Sequence, residues 1–192
     1  MKKADVKSAD QSLISKLIFN TVAPRPIAWI TTLNENGSVN LAPFSFYNAI
    51  TTKPPLLFVS IGKRKDGSDK DTIRNIKRTG EFVINVISKK FFESMVESGK
   101  DFPPEESEIE KLQIETVPSE TVSPPIVKGV PAALECKVKE IIELGATPMS
   151  VVIGEVVFIH YDEEILKTQK GIVGRLGGKR YIVVEKEITI FK

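Results

Sequence analysis

Apolar side chains fall into short runs along this chain, most of them at the length and spacing of β-strands. Residues 26–32 are β-rich, and Asn34-Glu35-Asn36-Gly37 supplies a turn with Gly where positive φ costs least. A second strand over 38–46 completes a hairpin. Pro54-Pro55 starts a third run over 56–61, apolar nearly throughout and therefore expected to be buried on both faces. Residues 63–69 are polar and contain Gly67, as an exposed loop would be. Ser68-Asp69-Lys70-Asp71-Thr72 followed by Ile73 and Ile76 predicts a helix start, with Ser68 or Asp69 as the cap and Gly80 closing the helix. Residues 81–87 form another strand. A short helix over 88–98 carries Phe91, Phe92, Met95 and Val96 on one side.

Residues 101–125 change character. They are acidic, hold Pro103, Pro104, Pro118, Pro124 and Pro125, and contain one short helical stretch near 105–112. Strands resume on both sides, so this segment is an excursion across the surface and not a linker between domains. Strands follow over 133–143, 150–161 and 181–191, with a turn at 145–148. No repeat or low-complexity tract interrupts the chain. About seven strands with two or three short helices predict a single, mainly β domain over 1–192, a β-barrel with helical additions. Strands and helices do not alternate as a doubly wound sheet requires.

Composition removes several kinds of chemistry. Lys+Arg 27 against Asp+Glu 25 leaves +2, too little for a general pull on nucleic acid or anionic lipid. The apolar runs are too short to span a bilayer, and the first residues lack the apolar stretch of a secretory signal. The expectation is a soluble, cytoplasmic domain. Cys136 is the only cysteine and His160 the only histidine, which excludes an internal disulfide and a Cys/His zinc cluster and argues against a Ser-His-Asp or Cys-His site. No metal ligand set and no catalytic side chain is assigned. An oligonucleotide-binding barrel is disfavoured by the small net charge and by only 14 aromatics (10 Phe, 3 Tyr, 1 Trp), many at core-like positions.

Local signals remain. The Lys70-Asp71-Thr72 helix start offers free N–H groups, a cation and a hydroxyl, which suit a phosphate monoester; the same residues also describe an ordinary capped helix with a solvated lysine. In Asn40-Leu41-Ala42-Pro43-Phe44-Ser45-Phe46 the proline cannot donate to a ladder, so the stretch is an edge, a bulge, or backbone that faces a ligand. Arg25, between Pro24 and Pro26, is an anion-binding fork or a surface ion pair. His160 reads as structural or interfacial, Cys136 as a packed thiol, and Trp29 as core, interface or the neighbour of a planar ligand. The glycines at 171, 174, 177 and 178 do not make a dinucleotide fingerprint.

In this order the pieces resemble the flavin reductase-like, FMN-binding split-barrel family, in its flavoredoxin-type branch. The resemblance runs through Pro24-Arg25-Pro26-Ile27-Ala28-Trp29-Ile30-Thr31-Thr32, residues 40–46, Lys70-Asp71-Thr72, Asn75-Ile76 and Thr79-Gly80-Glu81-Phe82-Val83-Ile84-Asn85. It continues through Val117-Pro118-Ser119, Leu134-Glu135-Cys136, Gly154-Glu155-Val156, His160, Arg175-Leu176-Gly177-Gly178 and Tyr181. Nearly the whole chain after an N-terminal extension (1–20) is covered. The long basic lead at 63–70 departs from the pattern; it shapes access to a flavin, attracts the 2′-phosphate of NADPH, or is a solvated loop.

The resemblance implies a six-stranded Greek-key split barrel that forms a homodimer with one FMN per subunit. It implies that Thr31, Thr32, Asn40, Ala42, Pro43, Phe44, Ser45 and Ser60 line the flavin, that Lys70 and Thr72 hold its phosphate, and that Arg25 is a weaker phosphate candidate. Residues near Arg175 and Tyr181 are expected to reach across from the partner subunit. The implied activity is an FMN-dependent oxidoreductase that takes hydride from NADH or NADPH and passes electrons to flavin, ferric ion or another acceptor. The alternative is a non-enzymatic electron carrier fed by a redox protein partner. Either way the cofactor carries the redox chemistry, in keeping with the absence of an acid–base constellation.

Overall fold

The computed structural model describes residues 1–145 and 147–188. The elements run α1 (Gln11–Thr21), β1 (Ala28–Leu33), β2 (Val39–Phe44), β3 (Tyr47–Thr52), β4 (Pro55–Gly62), α2 (Asp71–Thr79) and β5 (Glu81–Val86). They continue with α3 (Phe92–Ser98), α4 (Glu108–Lys111), β6 (Thr116–Val117), β7 (Ile126–Val127), β8 (Ala132–Glu143), β9 (Met149–Tyr161), β10 (Val173–Arg175) and β11 (Tyr181–Val183). The architecture is mainly β, as expected, but the main antiparallel sheet has seven strands where the resemblance implied six, in the order β2-β1-β5-β8-β9-β4-β3.

The long β8–β9 hairpin organises that sheet. The first half of β8 pairs with β5 (Ala133 opposite Asn85), and the first half of β9 pairs with β4 (Gly62 opposite Met149). Register shifts at Glu135/Cys136 and Val138/Glu140 bend the hairpin between these two sets of strands. The edge strands β2 and β3 follow one another through Ser45 and Phe46, which brings β2 beside β4 and curls the sheet on itself. Inside lie Ile30, Val59, Ile61, Phe82, Ile84, Cys136 and Val152, with Ile73 and Ile76 of α2 closing one mouth. A second cluster, with Trp29, Leu41, Ile87, Met95 and Val127, packs the opposite face of β1 and β5 against α3 and the excursion. Consequently β1 is buried on both sides. Trp29 is fully buried, its Nε1 donating to Ser98 Oγ at 2.8 Å, and is a core residue. Cys136 is equally enclosed, and burial followed by the Glu135 charge pushes its thiol upward.

Gly154 is required by this core. A Cβ there would stand 2.6 Å from Phe82 Cζ, inside van der Waals contact. Gly154→Ala is therefore expected to cost ~1–3 kcal/mol by overpacking, seen as a lower urea midpoint with unchanged slope.

Several expectations are corrected. The second predicted strand ends at Phe44, and a further strand, β3, follows it unpredicted; its Asn48, Ala49 and Ile50 are exposed, so no buried face announces it. β4 is not buried on both faces: Leu57, Val59 and Ile61 point inward, whereas Leu56, Phe58 and Ser60 are half-buried. The α2 start has neither Ser68 nor Asp69 as its cap. Lys70 occupies that position without a side-chain cap, Ser68 Oγ donates to Asp66, and Asp69 pairs with Lys77 at 2.9 Å. Gly80 does close α2, at φ 71° with its N–H on Ile76 O. The N-terminal extension contains α1, capped by the Asp10 carboxylate accepting from Ser12 and Leu13 N–H. The last expected strand is described only as Tyr181–Val183, and residues 189–191 lie outside the described residues, as does Ala146 in the turn at 145–148.

The excursion is packed down, not loose. Thr31 Oγ1 donates to Pro125 O at 2.6 Å, Ser107 Oγ donates to Val39 O at 2.7 Å, and Leu41 N–H donates to Glu108 Oε2 at 2.8 Å. Glu135, with no exposed surface, accepts from Glu120 N, Thr121 N and Thr121 Oγ1 at 2.6–2.7 Å. Its Oε1 also meets His160 Nε2 at 2.6 Å, so the lone histidine ties β9 to this anchor. No helix among the described residues is long and apolar enough to cross a membrane.

Candidate functional site: a cationic groove beside a polar cleft

Where β2 leaves the sheet its outer edge opens. Ser107 and Glu108 occupy that edge at Val39 and Leu41, but from Pro43 to Ser45 it forms the wall of a groove of about 520 Å³. That volume falls within the ~300–1,000 Å³ of small-molecule sites. Phe44, Phe46, Met95 and Met149 give the groove apolar surfaces, and Ser45 and Ser60 give it hydroxyls. Its charged lining consists of Arg25, Lys70 and Arg175, with no carboxylate. Lys70 makes no ion pair among the described residues, and its Nζ sits 5.9 Å from the Phe44 ring centre.

At the Lys70 end a narrow cleft of about 60 Å³ continues the groove, sharing Pro43, Phe44, Lys70 and Gly99 with it. Asn40, Ala42 and Thr72 line this cleft. Behind them runs a buried amide–hydroxyl network. Asn75 Nδ2 donates to Asn34 Oδ1 at 2.7 Å and to Thr32 Oγ1 at 3.0 Å, and Asn40 Nδ2 donates to Thr32 Oγ1 at 3.1 Å and to Thr72 Oγ1 at 3.0 Å. Because Thr72 Oγ1 accepts from Asn40, its own hydrogen remains to donate into the cleft. Below lies Glu108, only 5% exposed. Burial pushes its carboxyl up to about 7, against the Leu41 N–H bond that lowers it.

The opposite end of the groove is shut by α1 and the C-terminal hairpin. The Arg25 guanidinium donates to Phe19 O at 3.0 Å, Val22 O at 2.5 Å and Leu176 O at 3.1 Å, which leaves Nε buried and unpartnered. Phe19 stacks on Phe46 at 5.7 Å, with Arg25 against both rings. Arg175 lies 4.3 Å over the Tyr181 ring, and its backbone exchanges two hydrogen bonds with Arg25.

The sequence-derived candidates thus separate. Arg25, Pro43, Phe44, Ser45, Ser60 and Lys70 line the groove, and Asn40, Ala42 and Thr72 line the cleft. Thr31 and Thr32 line neither: both are fully buried, Thr31 holding the excursion and Thr32 standing behind Asn40. Arg175 and Tyr181 border the groove of their own chain. Arg64 of the basic lead is turned inward, donating to Asp71 Oδ2 at 2.5 Å and to Phe102 O at 3.1 Å. Met149, Gly99 and Phe19 were not legible as lining residues, since each reaches the groove only through tertiary packing. Glu108 was missed for the same reason, although a glutamate in an acidic, proline-rich segment is also easily passed over as solvated.

A curled antiparallel sheet carries a cationic, aromatic-walled groove of a size that admits a small molecule. The sequence profile described as "Flavin reductase like domain" matches residues 21–174, and the chain belongs to that family. Nitrilotriacetate monooxygenase component B from Bacillus cereus superposes with a TM-score of 0.90 at 31% identity, over 99% of this chain and 98% of that one. The Pseudomonas fluorescens 2-nitrobenzoate 2-nitroreductase NbaA gives 0.86 at 31% identity, over 100% and 96%. Flavoredoxin of Desulfovibrio vulgaris shares the fold, with a TM-score of 0.75 at 23% identity over 99% and 97%. The chain has a flavin-related redox role.

Proposed function

We propose that the protein is an FMN-dependent oxidoreductase that takes reducing equivalents from NADH or NADPH and delivers them to flavin, ferric ion or another small acceptor. The observation that carries this reading is the pairing of a 520 Å³ groove free of carboxylates with a polar cleft at the Lys70 end. Family membership and the two oxidoreductase neighbours support it.

The residues fit the cofactor. Lys70 and the Thr72 hydroxyl offer a cation and a donor to a phosphate, and Asn40, held by Thr32, orients Thr72. Pro43, Phe44, Ser45 and Ser60 supply the wall and hydroxyls for the ring system, with Ala42 leaving room between wall and cleft. In this reading Thr31 and Thr32 act through their neighbours, and Arg25 holds the closed end of the groove. When bound, FMN supplies hydride and electron transfer, so no side chain here must act as acid, base or nucleophile. The protein's part is to bind, orient and neutralise.

The same reading includes a homodimer. Of the aromatic side chains the sequence offers for an apolar flank, Phe44 and Trp29 are buried and Phe91 and Phe92 half-buried within the chain, so they are not the surface a second copy would cover, whereas Phe46 is exposed. Exposed Phe158, Ile159 and Tyr161 at the end of β9, with Leu13, Leu17 and Ile18 on α1, are better suited. Equilibrium titration with FMN, read by quenching of flavin fluorescence, tests the assignment. Saturable one-to-one binding in the micromolar range or tighter is expected, and no binding at millimolar FMN overturns it.

A further inference from the structure

The narrow cleft contains two charged side chains that form no ion pair among the described residues, although Arg64 and Asp71 both lie near enough to act on one of them, Glu108. Six ionisable side chains line it: Arg64, Lys70 and Lys100 as cations, Asp71, Asp101 and Glu108 as acids. Four of them are engaged. Arg64 pairs with Asp71, which also holds Arg74 from the next turn of α2; Lys100 pairs with Glu97, and Asp101 with Lys65 at 3.3 Å. Arg74 in turn faces Glu105 at 3.6 Å, so the charges packed on the far side of α2 also answer one another. β2, the remaining wall, brings only Asn40, Ala42, Pro43 and Phe44. Lys70 and Glu108 are left without ion-pair partners among the described residues. Glu108 is buried, and among the described residues its side chain has one hydrogen bond, the 2.8 Å contact from Leu41 N–H.

We propose that Glu108 couples anion binding in this cleft to the uptake of a proton, so that the phosphate of FMN enters on Lys70 as Glu108 becomes neutral. This rests on the FMN reading given above and deepens it. The physical reason is charge balance in a small, poorly solvated space. With Glu108 ionised the six lining groups sum to zero; with Glu108 protonated they sum to +1. A phosphate anion placed beside Lys70 raises the cost of a second negative charge on the cleft floor, and the carboxyl escapes that cost by taking a proton. Burial already pushes Glu108 up to about 7, so the proton is available to be gained near neutral pH. The proton adds to the carboxyl and leaves the Leu41 N–H bond in place, because a protonated carboxyl still accepts.

The test compares FMN with riboflavin, which has the same ring system and no phosphate, on the wild-type chain and on Glu108→Gln. The glutamine keeps a carbonyl for Leu41 N–H and cannot ionise. Calorimetry in buffers of different ionisation enthalpy counts protons taken up. Near pH 8 wild type is expected to take up a substantial fraction of one proton per FMN and close to none per riboflavin. Glu108→Gln is expected to take up none with FMN beyond the change of the phosphate itself, whose own second ionisation lies near pH 6. Between about pH 6.5 and about pH 8.5 the FMN affinity of wild type should fall roughly tenfold relative to that of the variant, with riboflavin affinities equal. Equal proton counts and parallel FMN affinities in the two proteins overturn the coupling while leaving FMN binding intact. If neither protein binds FMN or riboflavin, the flavin reading itself fails, and this inference with it. Should Glu108→Gln fold poorly, the wild-type contrast between FMN and riboflavin decides: equal proton uptake for the two ligands overturns the proposal.

Discussion

Lys70→Ala is expected to weaken FMN binding by ~10- to 100-fold, the equivalent of one charge-assisted hydrogen bond of about 1.5–3 kcal/mol. Lys70 is the cation common to groove and cleft, and no carboxylate pairs with it among the described residues. Its loss removes an attraction to phosphate and frees no buried acid. The variant should therefore unfold within ~0.5 kcal/mol of wild type, as ordinary surface substitutions do. Fluorescence titration with FMN and with riboflavin separates the causes. Riboflavin affinity should be unchanged; an equal loss for both ligands would mean that Lys70 shapes the groove and does not hold a phosphate.

Glu135→Ala is expected to be a strongly destabilising single change, about 3 kcal/mol, because it removes a fully buried carboxylate that accepts from Glu120, Thr121 and His160 together. Burial pushes the Glu135 carboxyl up, but the bonds from Thr121, Glu120 and His160 overcome this and hold it at about 2. The folded value lies below the unfolded one, so the unfolded state binds the extra proton in acid. The stabilisation is present in full above about pH 4.5 and is lost as pH falls towards about 2. Glu108 has the opposite sign, since its folded value lies above its unfolded one, and it lowers stability as pH rises from about 4.5 to about 7. Asp10, Asp66, Glu115 and Glu143 are also held below their usual values and contribute to the acid limb of both proteins, so it is the difference between the urea midpoints of wild type and Glu135→Ala that isolates Glu135; that difference should shrink as pH falls from about 4.5 towards about 2.

Much of this molecule is written in local pattern. The Asn34–Gly37 turn, the α2 stop at Gly80 and the long strands β8 and β9 follow from residue type and spacing alone. The groove lining at Pro43 to Ser45 was legible because a proline in a strand must sit where its missing N–H is not needed. What escaped was decided by distant partners. β3 is an edge strand with exposed Asn48, Ala49 and Ile50, paired to β4 by backbone. Ser68 and Asp69 look like caps, but Asp66 and Lys77 claim them. Thr31 and Thr32 sit in the right motif, yet strand alternation turns Thr31 to the excursion, while Thr32 lies one residue layer behind the cleft. Glu108 sits in polar surroundings along the chain and Glu135 in the strand Leu134-Glu135-Cys136, where an acid reads as solvent-facing; only the folding of the excursion onto β2 and β8 makes them buried.

The central claim is that this groove holds an FMN reduced by a nicotinamide nucleotide. Its most direct test is an absorption spectrum of the FMN-loaded protein under anaerobic conditions, followed through addition of NADH and then NADPH. Flavin bands near ~450 nm that bleach with one of the two nucleotides are the predicted result. Bands that persist with both and bleach only with dithionite would contradict the nucleotide-dependent reading and leave a carrier supplied by a protein partner.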